Sequence, residues 1–226
     1  MRRSRPADRL SGNPATRVVK GPVAITVEGL SLFLLVDKQH PLGASYVPFD
    51  LVNLKNYHVK TTWPHVELRK AVMPEVLAMV RAARADGVTL TSSSGYRSYK
   101  YQKGVFQREV ETYGRETAER ESARAGYSQH QLGTAVDFGS ISDDYERTSE
   151  GRWVAAHAWQ YGFSLSYPAG YEPVTGYRHE SWHYRYITPE GTLLQRQYFR
   201  DVQQYLLEFL HDNRDGLVRA RLRPNG

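Results

Sequence analysis

The stretch 180-ESWHYRY-186 sets three bulky rings at every second position: Trp182, Tyr184 and Tyr186. Successive side chains of a strand point to opposite faces. The alternation therefore predicts a strand whose aromatic face meets a core and whose other face carries His183 and Arg185. Either that second face is wet, or its polar groups belong to a site completed from elsewhere in the chain, because burying them unpaired is costly. Glu180 stands three residues before His183 and cannot share its face in a regular strand, so a bend has to bring it in. Otherwise it is a surface carboxylate paired with Arg178 or Arg185.

A second stretch, 128-SQHQLGTAVDF-138, has similar features. His130 is followed after seven positions by Asp137, which lies in a short apolar strand over residues 134–138 with small period-two neighbours, Ala135 and Gly133. Small residues leave room above the carboxylate. An inward-facing Asp must be paired or bound to a cation, although hydrogen bonds from local backbone or an arginine would also satisfy it. His130, Asp137 and His183 together offer two imidazoles and one carboxylate. That set suits zinc, with a fourth position left for water. The other histidines need no such role: His157 lies in an alanine- and tryptophan-rich helix as a packing residue, and His211 ends the last helix, where positive charge complements the dipole.

Working outward, residues 23–36 are rich in β-branched and apolar side chains and predict strands, ending at the turn-like 40-HPLG-43. Apolar residues near 3.6 spacing predict a helix from Val66 to Ala85, kinked or restarted at Pro74 and stopped at Gly87. A strand is expected over 88–93. A helix capped by Ser98 should run through Tyr113, with Gly114 beyond it and a second short helix over 115–124. Ser149 and Gly162 bracket another helix, strands are expected near 163–167 and 182–187, and one long terminal helix should cover Glu190 to His211. The expected class is α+β: a small antiparallel sheet carrying the site, packed with helices.

The chain has 226 residues, 40% of them apolar, and a formal charge of +6. Residues 1–20 hold +5 and residues 214–226 hold +3, which leaves the body, 21–213, at −2. The basic character thus belongs to the ends, which read as a flexible leader and a solvated tail around a single domain, and this argues against a nucleic-acid binder. There is no cysteine, which excludes thiol nucleophiles, thiolate metal sites and disulfides. The longest apolar run, 30-LSLFLLV-36, is far short of a membrane span. The basic start lacks the apolar segment of a secretory leader.

The combination of 94-SGYRSYKYQ-102, 128-SQHQLGTAVDF-138 and 180-ESWHYRY-186, in that order, resembles the VanY-type zinc D-alanyl-D-alanine carboxypeptidases, within the wider group of bacterial wall peptidases and hedgehog-like folds. The resemblance covers roughly residues 30–190. It implies one zinc ion held by His130, Asp137 and His183, with Glu180 as the general base. It implies that Arg97 sits over the scissile carbonyl or the terminal carboxylate, and that Gln102 and Ser128 touch substrate. Two positions depart from the family pattern: Ser181 stands where a proline is usual, and Ser166 where an arginine commonly precedes Tyr-Pro.

The implied function is removal of the C-terminal D-alanine from peptidoglycan stem peptides, whether the bond joins two D-residues or an L- and a D-residue. The alternatives are an endopeptidase cutting wall cross-links and a non-catalytic wall-binding module that keeps its metal. A purely structural zinc does not need a free carboxylate such as Glu180 beside an open position, which weighs against the last. A monomer is expected, located in the cell envelope or periplasm where the substrate lies. A cytoplasmic role in muropeptide recycling is the alternative.

Overall fold

The computed structural model describes residues 29–216. Its strands are β1 (Leu51–Asn53), β2 (Lys60–Thr61), β3 (Glu67–Arg69), β4 (Thr91–Ser94), β5 (Ala135–Phe138), β6 (Phe163–Leu165) and β7 (His183–Tyr186). Its helices are α1 (Met73–Ala85), α2 (Tyr99–Glu121), α3 (Ser149–His157), α4 (Glu172–Thr175), α5 (Pro189–Tyr198) and α6 (Gln203–Asp212). Five strands form one sheet in the order β2-β4-β5-β7-β6, antiparallel except for the β2–β4 pair at its edge. β1 and β3 form a separate antiparallel pair. The class is α+β, as the interspersed helical and short-strand patterns of the sequence predict.

The register of β5 on β7 places Val136 opposite Tyr184 and Asp137 opposite His183. Residues directly opposite share a face, so this pairing sorts the side chains into two sets. On one face Val136, Phe138, Trp182, Tyr184 and Tyr186 join the main core with Val76 and Met79 of α1 and Trp153 and Val154 of α3. Asp137 and His183 are left on the other. A smaller apolar cluster of Phe33, Leu35, Ile187, Leu206, Leu207 and Leu210 docks α6 onto the body. At about 25 cal/mol per Å² of apolar surface removed from water, these two clusters supply the main driving force for holding the sheet and helices together.

Several boundaries differ from the expectations, each for a physical reason. The helix expected from Val66 begins only at Met73, because Glu67–Arg69 are taken by the ladder to β1; Leu68 is buried through a strand rather than a helix face. Pro74 therefore starts α1, where its missing N–H costs nothing. Gly114 does fall where it was expected: at φ 82° and ψ 162° it interrupts the helical backbone of α2, separating the Ser98-capped segment from the second short one. The cap of α3 is Thr148 rather than Ser149, its hydroxyl accepting from the Gly151 N–H at 2.9 Å. The long terminal helix is two helices, α5 and α6, separated by Arg200 and Asp201 at φ 55° and 58°. Asp201 is held there by Gln195 at 3.0 Å and Arg196 at 3.2 Å.

The strand expected over 23–36 lies partly outside the described residues. Gly29–Phe33 within it is a short 3-10 helix, and residues 34–36 are irregular. The carbonyls of Leu32 and Leu34 both accept from the buried Arg185 Nη2, at 3.0 and 2.7 Å, and so are committed to that guanidinium rather than to a ladder. The basic leader, 1–20, and residues 217–226 of the tail lie outside the described residues.

Gly162 closes the α3 segment at φ +78°, and a Cβ there would stand 2.5 Å from the carbonyl carbon of Thr188. Gly162→Ala should lower the unfolding free energy by at least ~1 kcal/mol, read from denaturant melts, since it joins a disfavoured φ to a backbone collision.

Candidate active site and metal centre

Three local devices bring distant residues to the polar face of β5 and β7. The first is the strand pairing itself, which sets His183 Nδ1 2.9 Å from Asp137 Oδ1. The second is a short 3-10 turn, Gln129–Leu132, capped at its start by the Ser128 hydroxyl and ended by Gly133 in the left-handed conformation. It turns His130 back over the sheet so that its Nε2 lies 3.2 Å from Asp137 Oδ2. The third is the bend before β7: Glu180 donates its N–H to the Tyr167 carbonyl, and its own carbonyl accepts from His183 N. This supplies the bend that Glu180 needs, and its Oε2 comes within 3.9 Å of His183 Nδ1.

His130, Asp137 and His183 are all buried, and one donor atom from each lies within 4.8 Å of the others. Their chemistry fits a cation. His130 gives its Nδ1 proton to the Gly95 carbonyl at 2.7 Å, a partner that can only accept, so its Nε2 presents a lone pair. The Gly95 carbonyl reaches that spot on a backbone where a side chain would collide with the Glu67 carbonyl. His183 Nε2 lies 3.3 Å from Gln129 Oε1, also an acceptor, so Nδ1 is the atom turned toward Asp137. Two lone pairs and a carboxylate thus converge with the opposite ring protons committed elsewhere, the usual arrangement around a bound metal. The imidazoles meet edge to face, 4.7 Å between centroids, and Tyr167 stacks on His183 at 4.9 Å.

Arg97 spans the site from the side. Its Nε donates to Ser94 Oγ at 2.8 Å and its Nη2 to Asp137 Oδ2 at 2.7 Å. Burial by itself would push the Asp137 carboxyl up, but His130, His183 and Arg97 hold it well below the ordinary carboxylate range. His130 is lowered to about 4, first by burial and then by the Arg97 charge. Glu180 moves the other way, up to about 8, first by burial and then by the Asp137 charge. The Arg178 expected as an alternative partner of Glu180 binds Glu121 and Asp143 instead, at 3.0 and 2.6 Å, and Arg185 binds backbone carbonyls.

All seven residues singled out in the sequence, Arg97, Gln102, Ser128, His130, Asp137, Glu180 and His183, line one cleft of about 320 Å³. Gln102 is buried, donates to the Ala123 carbonyl at 2.7 Å, and has no partner for its Oε1 among the described residues. Ser128 caps the His130 turn as well as lining the cleft. Trp63, Tyr101 and Ile141 stand on the rim at 69%, 59% and 55% exposure, an unusual place for large apolar groups unless something covers them. Ser94, Gln129, Tyr167 and Tyr177 were not anticipated. Gln129 is adjacent to His130 in sequence, but nothing in the sequence reveals what its amide touches.

The family model for VanY, D-alanyl-D-alanine carboxypeptidase, matches residues 65–189. YodJ of Bacillus subtilis, whose carboxypeptidase name is provisional, is 34% identical over 77% of this chain and 69% of its own length. A D-alanyl-D-alanine carboxypeptidase of Enterococcus faecium is 30% identical over 77% of this chain, which spans only 58% of that relative. Among solved structures, the LdcB LD-carboxypeptidase superposes with a TM-score of 0.70 at 31% identity, covering 78% of this chain and 86% of that one. A VanY D,D-pentapeptidase variant from a VanB-type resistance cassette, in complex with Zn(II), superposes with a TM-score of 0.66 at 30% identity, covering 78% and 99%. The chain belongs to the VanY family of D-alanyl-D-alanine carboxypeptidases. The zinc that the sequence motifs imply agrees with the metal in that relative and with the donor group found here.

Purified protein should carry one zinc per chain by elemental analysis, released by a strong chelator. His130→Ala and Asp137→Asn should each lower occupancy well below one under the same dialysis, because a tetrahedral site that loses one of three protein ligands holds its ion much less tightly.

Proposed function

We propose that this chain is a zinc-dependent carboxypeptidase that releases the C-terminal D-alanine of peptidoglycan stem peptides in the cell envelope. The observation that carries the reading is Glu180. It is a buried carboxylate with no ion-pair partner among the described residues nearer than the 3.9 Å to His183, at the edge of three converging metal-type donors. A structural metal site has no use for such a group. Zinc held by His130, Asp137 and His183 would supply Lewis acidity at the scissile carbonyl and toward the attacking water. Glu180 takes the proton of that water and hands it to the leaving amine of D-alanine. A carboxylate raised toward neutrality by its surroundings is well matched to both halves of that transfer.

Arg97 is the second working residue of the proposal. With Nε on Ser94 and Nη2 on Asp137, its Nη1 has no protein partner among the described residues and is free for substrate. Locked at two points, the guanidinium meets either the terminal carboxylate or the developing oxyanion without reorganising. Gln102 Oε1 accepts a substrate N–H, and Ser128, its hydroxyl proton uncommitted, donates to a substrate oxygen. The proposal spans both stereochemistries at the penultimate residue, since the relatives include an LD-carboxypeptidase and a D,D-pentapeptidase.

Stem peptides extend beyond the two residues at the cut bond, and the cleft extends with them. Past the site it continues to Trp63, Tyr101 and Ile141, whose exposed surfaces suit the remainder of a peptide.

Release of D-alanine from penta- and tetrapeptide stems, followed by mass analysis, is the direct assay; no cleavage of either substrate by zinc-loaded protein would end the proposal. Glu180→Ala should retain zinc yet lose ~10²- to 10⁴-fold in kcat, and full activity in that variant would remove the proposed base. The Trp63→Ala, Tyr101→Ala double variant should raise KM for the pentapeptide while leaving hydrolysis of the bare D-Ala-D-Ala dipeptide unchanged.

A further inference from the structure

Behind His183, on the side away from Asp137, lies a run of buried amides that the proposed chemistry does not use. His183 Nε2 stands 3.3 Å from Gln129 Oε1; Gln129 Nε2 donates to Gln203 Oε1 at 3.2 Å; Gln203 Nε2 donates to the backbone carbonyl of Ser164 at 3.2 Å. Gln129 and Gln203 are 3% and 1% exposed, so water does not stand in for any of these partners.

The run has a direction, set at its far end. A carbonyl only accepts, so Ser164 requires Gln203 to present its NH₂ group there, which turns Gln203 Oε1 toward Gln129. That oxygen requires the NH₂ of Gln129, which turns Gln129 Oε1 toward the imidazole. An oxygen at that place requires a proton on His183 Nε2, and a neutral imidazole carries only one. Nδ1 is left with its lone pair toward Asp137. Flipping any member opposes two oxygens or two NH₂ groups in a buried space, at a cost of about 1–3 kcal/mol for each group left unsatisfied. Ser166, the residue that departs from the family pattern, strengthens the middle of the run by donating to Gln129 Oε1 at 2.7 Å. Its hydroxyl rotates to suit its neighbours and does not itself set the direction.

We infer that Gln203 is a positioning residue of the metal centre: through Gln129 it sets which nitrogen of His183 faces the ion, and so ties α6 to the site. Gln203 opens α6, and it lies outside residues 65–189, the segment matched by the family model. The docking of α6 by Leu206, Leu207 and Leu210 places it. This inference rests on the metal reading of His183 but not on the peptidase reading, so its test uses no substrate.

Two variants separate polarity from packing. Gln203→Met keeps the volume and removes both polar groups, which leaves the Gln129 amide unpaired. Gln203→Glu loses the bond to Ser164 but keeps an oxygen for Gln129 Nε2. Zinc affinity by chelator competition should fall ~10- to 100-fold in Gln203→Met, the range seen when groups behind a metal ligand are removed, and stay within about threefold of the parent in Gln203→Glu. Parent-like affinity in Gln203→Met overturns the inference. So does an equal loss in both variants, which would mean that α6 is merely undocked. If Gln203→Met does not fold, the parent protein decides by nitrogen-15 NMR of the zinc-loaded form. A slowly exchanging proton on His183 Nε2, with protected side-chain amides at Gln129 and Gln203, supports the relay; fast exchange at either amide refutes it.

Discussion

A buried carboxylate that the fold cannot leave unaccompanied is the constraint on which this structure turns. Asp137 sits on β5, the middle strand of the five-stranded sheet with two strands on either side, where water cannot solvate its charge. Transfer of a lone carboxylate to such a place is prohibitive, and the protein answers with the Arg97 guanidinium and with two imidazoles whose inward nitrogens share with the carboxylate a place for a cation. Each partner arrives by a different route: His183 by strand register, His130 by a capped turn, Arg97 from the segment between β4 and α2. The same register sends Val136, Tyr184 and Phe138 into the main core, so core packing and site assembly are one arrangement. A slip of one residue would exchange the two faces and destroy both.

Charge is distributed so that two carboxylates a short distance apart do different work. Asp137 accepts from the Arg97 guanidinium and faces the two imidazoles, and its carboxyl is held well below the ordinary range. Glu180 lies just beyond these groups, desolvated and facing the Asp137 charge, with Arg97 and Arg178 only partly opposing the rise. Environments that push two acids apart in this way divide them into a holder and a proton carrier. Positive charge gathered by the donor group would offset the second cause of the Glu180 shift and leave burial as the first.

The departures from the family pattern are local adjustments rather than losses. Ser166 is buried and turned to Gln129, away from the cleft, where its hydroxyl serves the environment of His183. Ser181 lies in the bend that carries Glu180 inward, buried and without a partner for its Oγ among the described residues. The bend holds without proline because its ends are fixed by the Tyr167 carbonyl and by β7.

The sequence by itself determined the strand at 182–187, the strand at 134–138, the Ser98-capped helix and the residues worth watching, because period-two alternation, caps and donor-type side chains are local signals. It also identified a carboxylate that would need a bend to reach its histidine. Only the tertiary structure decided the rest. Leu68 and Val72 keep helical spacing, yet the ladder to β1 takes residues 67–69 for a strand, since paired backbone groups outweigh propensity over so short a stretch. The terminal helix divides because Asp201 finds partners in Gln195 and Arg196 that no periodicity reveals. In the site, spacing along the chain could nominate His130, Asp137 and His183, but not which ring nitrogen each turns inward. That depends on the Gly95 carbonyl, 35 residues from His130, and on Gln129, 54 from His183. Hydrogen-bond direction is a property of groups in space, and it exists only once the strands and α6 have met.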